Sequence, residues 1–230
     1  MIENYFSKEG ARDTAGVNEI AGVTELGTPG QIELLEEGVS LEHLHAGRGM
    51  ETEGQRERII GEPYEDRETW SPQAEENSCA VACQEMIAEQ LTGQDFSEEE
   101  MIALARERGW YDPESGTTMS DVGKVLEEMG MTVERQTGAT VNDLAAALEQ
   151  GKVICGVNNM LLSAPELSVL PGLRANHAVQ VTGIDTSDPN RVEVILNDPG
   201  VENGCGIRHS LDDFLKAWKT SSNFMVSVER

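Results

Sequence analysis

The stretch SCAVACQEMIAEQLTG, residues 78–93, is where the fold can first be predicted from the sequence. Ser78 is a residue type that caps helix N-termini, and Gly93 is one that ends helices. Five apolar residues recur between them at helical spacing: Val81, Ala82, Met86, Ile87 and Leu91. The pattern predicts a buried helix with Cys79 in its first turn and Cys83 in the core.

Further helices follow this one, and strands come after them. Three Ser/Thr-x-x-Asp/Glu pairs predict helix starts, at Ser97 with Glu100, Thr118 with Asp121 and Thr140 with Asp143. Four segments rich in β-branched residues predict strands, KVICGV (152–157), HAVQVTGI (177–184), VEVIL (192–196) and FMVSV (224–228). Residues 161–176 between the first two strands are expected to form a long loop, and Ser210 with Asp213 predicts a short late helix.

The order of these elements predicts an α+β domain, in which a mainly antiparallel sheet packs against the early helix that contains Cys79. Residues 1–70 are rich in acidic residues and glycine, a composition that favours a flexible tail over an independent core. We therefore expect an acidic appendage at 1–70 and a folded domain at 71–230. A flexible tail, an inhibitory pro-segment and a targeting arm all stay open for the appendage.

The net charge narrows the classes of partner. With 42 acidic and 17 basic side chains, the formal charge of -25 repels phosphate backbones and anionic lipid. We therefore expect no nucleic-acid ligand, and a peptide or protein substrate, with a basic one left open. The sequence contains no apolar run long enough for a membrane span, and its start, MIENYFSKEGARD, lacks the apolar core of a signal peptide. The protein is expected to be cytoplasmic as synthesised, with later delivery as an effector left open.

Cysteine and histidine spacing speaks against a disulfide scaffold or a metal site. The four cysteines include no Cys-x-x-Cys pair, and the four histidines are dispersed. We expect reduced thiols and neither a metal nor another cofactor.

Cys79 is the candidate nucleophile because a helix N-terminus favours the thiolate over the thiol. A catalytic thiol also needs a base, and a third group that orients the base. His177 begins one predicted strand and Asp198 follows the next, so antiparallel pairing would place both at one sheet edge. The competing interpretation of Cys79 is a small buried residue in a helix.

Four sequence elements together resemble papain-like cysteine peptidases, specifically the group related to bacteriocin-processing, double-glycine-leader peptidases. They are Gln73, CAVAC (79–83), NHAVQVTGID (176–185) and NDPG (197–200). The resemblance implies that Cys79 is the nucleophile, His177 the general base and then acid, and Asp198 the residue that orients it. It also implies that Gln73 donates to the oxyanion hole beside the backbone N–H of Cys79.

The expected function is therefore that of a cysteine peptidase that cleaves peptide bonds through a covalent acyl-enzyme. Two alternatives remain at this point. A deamidase or acyl transferase can use the same thiol and base, and a non-catalytic module can use the same cleft to hold a peptide.

Overall fold

A seven-stranded antiparallel sheet is the centre of the fold in this computed structural model, which describes residues 59–229. The strands are β1 (Ile59–Gly61), β2 (Val133–Gln136), β3 (Gly151–Val157), β4 (His177–Asp185), β5 (Glu193–Asn197), β6 (Ile207–Ser210) and β7 (Met225–Glu229). Their order is β2-β7-β3-β4-β5-β6, and β1 pairs with the end of β4. Every pairing is antiparallel. The predicted α+β class is confirmed.

Helices cover both faces of the sheet. In the part of the chain that the structure describes they are α1 (Pro63–Asp66), α2 (Cys79–Thr92), α3 (Glu98–Glu107), α4 (Lys124–Glu128), α5 (Val141–Gln150), α6 (Asn159–Ser163) and α7 (Leu211–Lys219). Single turns of 3-10 helix occur at Arg67–Thr69 and Pro165–Val169. None of the helices between residues 59 and 229 has the length and apolar character needed to cross a membrane.

The two central strands divide the core between the two faces. Ile154 and Ala178 pack in one apolar cluster with α2, α3 and α4. Cys155 and Val179, their neighbours in sequence, pack in a second cluster with α5 and α7. This alternation follows from the two-residue period of a strand, in which successive side chains point to opposite faces. Helix α2 packs on the face that carries Ile154 and Ala178, and its first residue lies at the end of the sheet where β4 begins.

Two of the predicted helix starts are confirmed by their hydrogen bonds. Thr140 and Asp143 form a complete capping box at α5, and the Ser210 hydroxyl accepts the Asp213 N–H at α7. Ser97 is the N-cap residue of α3, although its hydroxyl makes no capping bond there.

The helix predicted to start at Thr118 is present, but it starts later than predicted. The Thr118 hydroxyl donates to the Asp121 carboxylate at 2.6 Å, residues 119–123 form turns, and α4 begins only at Lys124. Gly123 has a φ of 91°, which no residue of a right-handed helix adopts. A Cβ at Gly123 would lie 2.7 Å from Val133 Cγ1, so β2 approaches too closely for a larger residue.

The long loop predicted at residues 161–176 is only partly a loop. Asn158 caps α6 by accepting the Leu161 N–H at 3.2 Å, and the 3-10 turn follows directly. Leu161 and Leu162 are buried in the cluster around α7. Apolar packing therefore orders the first half of this segment, while residues 170–176 carry neither helix nor strand.

Residues 59–70, which the sequence prediction placed in the appendage, contact the folded domain. β1 pairs with β4, and Asp66 forms an ion pair with Lys152 in which both side chains are buried. The remainder of the predicted appendage, residues 1–58, lies outside the described residues. The division into appendage and domain stays a prediction for that part of the chain.

Candidate active site

Cys79 is the first residue of α2, as the capping pattern predicts. Its side chain is partly exposed, whereas Ala80 to Ala88 behind it are buried. The first N–H groups of a helix have no acceptor within the helix. Among residues 59–229, nothing accepts the backbone N–H of Cys79. The thiol therefore lies beside a free donor at the positive end of a helix.

His177 and Asp198 meet at the edge of the sheet. β4 and β5 pair with Gln180 opposite Asn197, so the start of β4 lies beside the residue that follows β5. His177 Nε2 bonds to Asp198 Oδ1 at 2.7 Å, and both side chains are buried. The antiparallel arrangement predicted from the sequence thus brings these two side chains together.

The other side of the imidazole faces Cys79, whose thiol is within hydrogen-bonding reach. Because Nε2 bonds to the aspartate, Nδ1 is the nitrogen available to the sulfur. Burial of His177 disfavours the imidazolium, but the Cys79 thiolate, the hydrogen bonds with Asp198 and Cys79 and the Asp198 charge outweigh burial. The net result raises the pKa of His177 to about 10. The surroundings of His177 therefore favour its charged imidazolium form.

Asp198 is held from several sides. Its Oδ1 also accepts the Gly200 N–H at 2.8 Å, and its backbone carbonyl accepts the Trp70 indole N–H at 2.9 Å. Burial tends to raise the pKa of the Asp198 carboxyl, but the bond and charge of His177, the Gly200 N–H and the His209 charge lower it overall. Asp198 is thus kept ionised while it orients the imidazole.

Gly200 contacts the imidazole more closely than any larger residue could. A Cβ there would lie 2.6 Å from His177 Cε1, 3.0 Å from Nε2 and 3.3 Å from Asp198 Oδ1. The absence of a side chain at Gly200 therefore lets the loop after β5 pack on the ring and fix its plane.

Gln73 lies beside this pair, because its backbone N–H donates to the Pro199 carbonyl at 2.9 Å. Its side-chain amide donates to the carbonyls of Glu75 at 2.8 Å and Glu76 at 2.6 Å. Both amide hydrogens are thereby engaged within the turn 73–78. Gln73 Oε1 is buried and has no hydrogen-bond partner among the described residues.

The other cysteines are poor candidates for the nucleophile. Cys83 and Cys155 are fully buried, and burial raises the pKa of both thiols. Cys205 is partly exposed and its thiol lies 3.4 Å from the Arg67 carbonyl, away from any imidazole contact that the structure records for residues 59–229. Cys79 alone combines access with a histidine neighbour.

Sequence reasoning missed Trp70 and Gly200 as supports of the site. Gly200 belongs to the NDPG motif, in which only Asp198 was assigned a role, and Trp70 fell in the segment assigned to the appendage. No local pattern distinguishes a tryptophan that reaches Asp198 across the fold from one that packs in the core.

The chain is similar to a known protein family and to individual proteins. The model of the family described as papain-like cysteine protease AvrRpt2 matches residues 63–219. The uncharacterized protein Rv1268c of Mycobacterium tuberculosis is 29% identical over 196 residues, which cover 73% of this chain and 83% of that protein.

One solved structure with a TM-score above 0.5 shares the fold. A Bacillus anthracis protein assigned as a C39-like peptidase superimposes with a TM-score of 0.51 at 16% identity, over 70% of this chain and 94% of that chain. The peptidase domain of Streptococcus ComA, a bifunctional ABC transporter, has a TM-score of 0.48 at 18% identity, over 70% of this chain and 96% of that domain.

Proposed function

This chain belongs to the papain-like cysteine protease family whose model it matches, and we propose that it hydrolyses peptide bonds through Cys79, His177 and Asp198. One observation carries the proposal: the imidazole of His177 lies between the Asp198 carboxylate, at 2.7 Å, and the Cys79 thiol at the start of α2. A nucleophile, a base and a group that orients the base are the parts that covalent acyl transfer requires.

The proposed reaction begins with the Cys79 thiolate and the His177 imidazolium. The sulfur attacks the carbonyl carbon of the substrate, an S–C bond forms, and the carbonyl electrons move to oxygen. His177 then gives its Nδ1 proton to the leaving amine as the C–N bond breaks, which leaves a thioester on Cys79. Water attacks the thioester carbonyl while His177 accepts a proton from it, and the C–S bond then breaks, which releases the carboxylic acid and leaves the thiolate and the imidazolium.

Two neutral donors are proposed for the oxyanion: the free N–H of Cys79 and the side-chain amide of Gln73. The Cys79 N–H has no recorded acceptor among residues 59–229, so it can donate to the substrate oxygen without giving up another hydrogen bond. The Gln73 amide has to exchange one of its two carbonyl acceptors, Glu75 or Glu76, for the substrate oxygen. Neutral donors of this kind stabilise the developing charge, and loss of one costs about 100-fold or more in turnover.

The proposed substrate is a peptide or a protein. The net charge of -25 favours a basic one through long-range attraction, which acts on association more than on the chemical step. Whether residues 1–58 form a flexible tail, an inhibitory pro-segment or a targeting arm stays open, because those residues lie outside the described part of the chain.

A peptide library followed by mass spectrometry tests the proposal. Wild type, Cys79→Ala and Cys205→Ala are compared, because Cys205 is a partly exposed thiol without a histidine neighbour. We expect cleavage by wild type and Cys205→Ala and none by Cys79→Ala. Equal, negligible cleavage by all three would support a non-catalytic peptide-binding module. A mass change of the intact target without chain cleavage would support a deamidase or acyl transferase.

A further inference from the structure

The turn 73–78, which carries Gln73 and leads into Cys79, is attached to both ends of α3. Near the end of α3, Arg106 Nη2 contacts both carboxylate oxygens of Glu75, at 2.8 and 2.7 Å. Tyr111, just beyond α3, donates its hydroxyl to Glu75 Oε2 at 2.8 Å, and the Arg106 guanidinium lies over its ring. The Glu75 carboxylate therefore has a cation and a hydroxyl that point it outward from the turn.

The backbone of Glu75 organises the inside of the same turn. Its carbonyl accepts the Gln73 side-chain amide at 2.8 Å and the Ser78 N–H at 3.2 Å. Its N–H donates to the Ser78 hydroxyl at 3.1 Å. A rotation of the Glu75 peptide would thus move the Gln73 amide and the residue before Cys79 together.

At the other end of α3, Glu98 contacts the same turn. Glu98 Oε2 accepts the Ala74 N–H at 2.6 Å, and within the turn the Ser78 hydroxyl donates to the Glu75 carbonyl at 3.0 Å. Helix α3 therefore holds the turn through its first residue, Glu98, and through Arg106 near its end. Such two-point attachment fixes orientation as well as position.

We propose that Glu75, held by Arg106 and Tyr111, is a positioning residue that sets the two oxyanion donors. This inference rests on the proposed function of Cys79 and Gln73. Glu75 touches neither substrate nor nucleophile in this role. It acts through its peptide group, which orients the Gln73 amide and the start of α2. Donor geometry matters because a displacement of about 1 Å in a catalytic group can cost about 100-fold in rate.

The Glu75–Arg106 pair is too exposed to contribute much to folding. Their side chains are 36% and 42% exposed, and exposed ion pairs add little to stability. The inference therefore makes a prediction that a merely structural role does not: loss of the pair lowers turnover while the melting temperature changes little.

The test compares Glu75→Gln, Arg106→Met and Arg106→Lys with the control Arg108→Met. Arg108 lies two residues after Arg106, pairs with Glu128 and is similarly exposed, and no hydrogen bond or ion pair joins its side chain to the turn 73–78 in the described part of the chain. A single nitrogen of Arg106 contacts both Glu75 oxygens, so a lysine ammonium can replace it. We expect Glu75→Gln and Arg106→Met to lower kcat about 10- to 100-fold with KM little changed. Arg106→Lys and Arg108→Met should stay within about threefold of wild type.

Two reagents separate the oxyanion donors from the thiol itself. A peptide aldehyde adds Cys79 across its carbonyl, and the resulting oxygen occupies the oxyanion hole. Iodoacetamide alkylates the thiolate without forming an oxyanion. Glu75→Gln should weaken aldehyde inhibition about tenfold or more and leave the alkylation rate of Cys79 near that of wild type.

The outcomes distinguish this inference from the proposed function. Failure of wild type to cleave any peptide would remove the proposed function. Wild-type cleavage with an unchanged kcat and aldehyde affinity in Glu75→Gln would remove only the positioning role, as would equal impairment of Arg106→Lys and Arg106→Met.

Discussion

Gly200→Ala tests whether the loop after β5 fixes the His177 imidazole. In the structure the added Cβ would lie 2.6 Å from His177 Cε1, where ordinary contacts begin near 3.4 Å. The ring therefore has to move by roughly 0.8 Å, a displacement comparable to those that cost about 100-fold in catalytic rate. The added Cβ also lies 3.3 Å from Asp198 Oδ1, so it is close to both members of the His177–Asp198 pair.

The expected loss in Gly200→Ala is about 100-fold in kcat/KM, equivalent to about 2.7 kcal/mol of transition-state stabilisation. The 2.7 Å hydrogen bond between His177 Nε2 and Asp198 Oδ1 is the contact that lengthens. With Asp198 less able to hold the imidazolium, Cys79 should also be alkylated more slowly by iodoacetamide near neutral pH.

Gly156→Ala is the matched control. Gly156 lies in β3, next to the strand that begins with His177, and a Cβ there meets Phe224 and Ser221 at 3.4 and 3.5 Å, which are ordinary contacts. Peptide turnover, alkylation rate and melting temperature are measured for both variants. Retention of wild-type turnover and alkylation by Gly200→Ala would refute the claim that this glycine fixes the ring.

Three further predictions concern the surroundings of the site. Because the pKa of His177 is raised to about 10, its ionisation contributes fully to folding stability below its ordinary pKa of 6.5, and this contribution is lost as the pH rises through about 10. Asp198→Asn should therefore shift both this loss of stability and the alkaline fall in kcat/KM to lower pH. Trp70→Phe removes the 2.9 Å bond to the Asp198 carbonyl and should lower the melting temperature by roughly 2–4 °C in thermal unfolding. Burial and the nearby charges of Glu89, Glu98 and Asp95 raise the pKa of Glu85 to about 7 against the Ser71 hydrogen bond, so Glu85→Gln should stabilise the protein at pH 8 and have little effect below pH 4.5. An unshifted alkaline limb, an unchanged melting temperature, or a pH-independent effect of Glu85→Gln would count against each in turn.

The proximity of His177 and Asp198 could be predicted from the sequence because it follows from strand pairing. A histidine at the start of β4 and an aspartate after β5 must approach one another once the strands pair as antiparallel neighbours. The position of Cys79 was predicted from the residues that bound its helix, because Ser78 and Gly93 enclose a buried apolar segment.

Capping patterns predicted the start of a helix correctly only where the following residues adopt helical backbone angles. Thr140 and Asp143 form the expected box, but the Thr118 hydroxyl binds the Asp121 side chain instead. The backbone differs at Gly123, whose φ of 91° is incompatible with a right-handed helix, and β2 approaches this glycine too closely for a side chain.

The supports of the site could not be predicted because they depend on long-range loop contacts. Trp70 reaches Asp198 across 128 positions of sequence, and Glu75 reaches Arg106 across 31. Trp70 was assigned to the acidic appendage on composition alone. A single half-buried indole that bonds to one distant carbonyl produces no periodic sequence pattern that could have indicated otherwise.

Covalent capture during turnover tests the central claim most directly. Wild type and Cys79→Ala are incubated with a broad peptide library, quenched in acid, and analysed by mass spectrometry of both the peptides and the intact protein. We expect cleaved peptides and a transient thioester on Cys79 in wild type, and neither of them in Cys79→Ala. Equal cleavage by the two proteins, or an acyl group on any other residue, would contradict it.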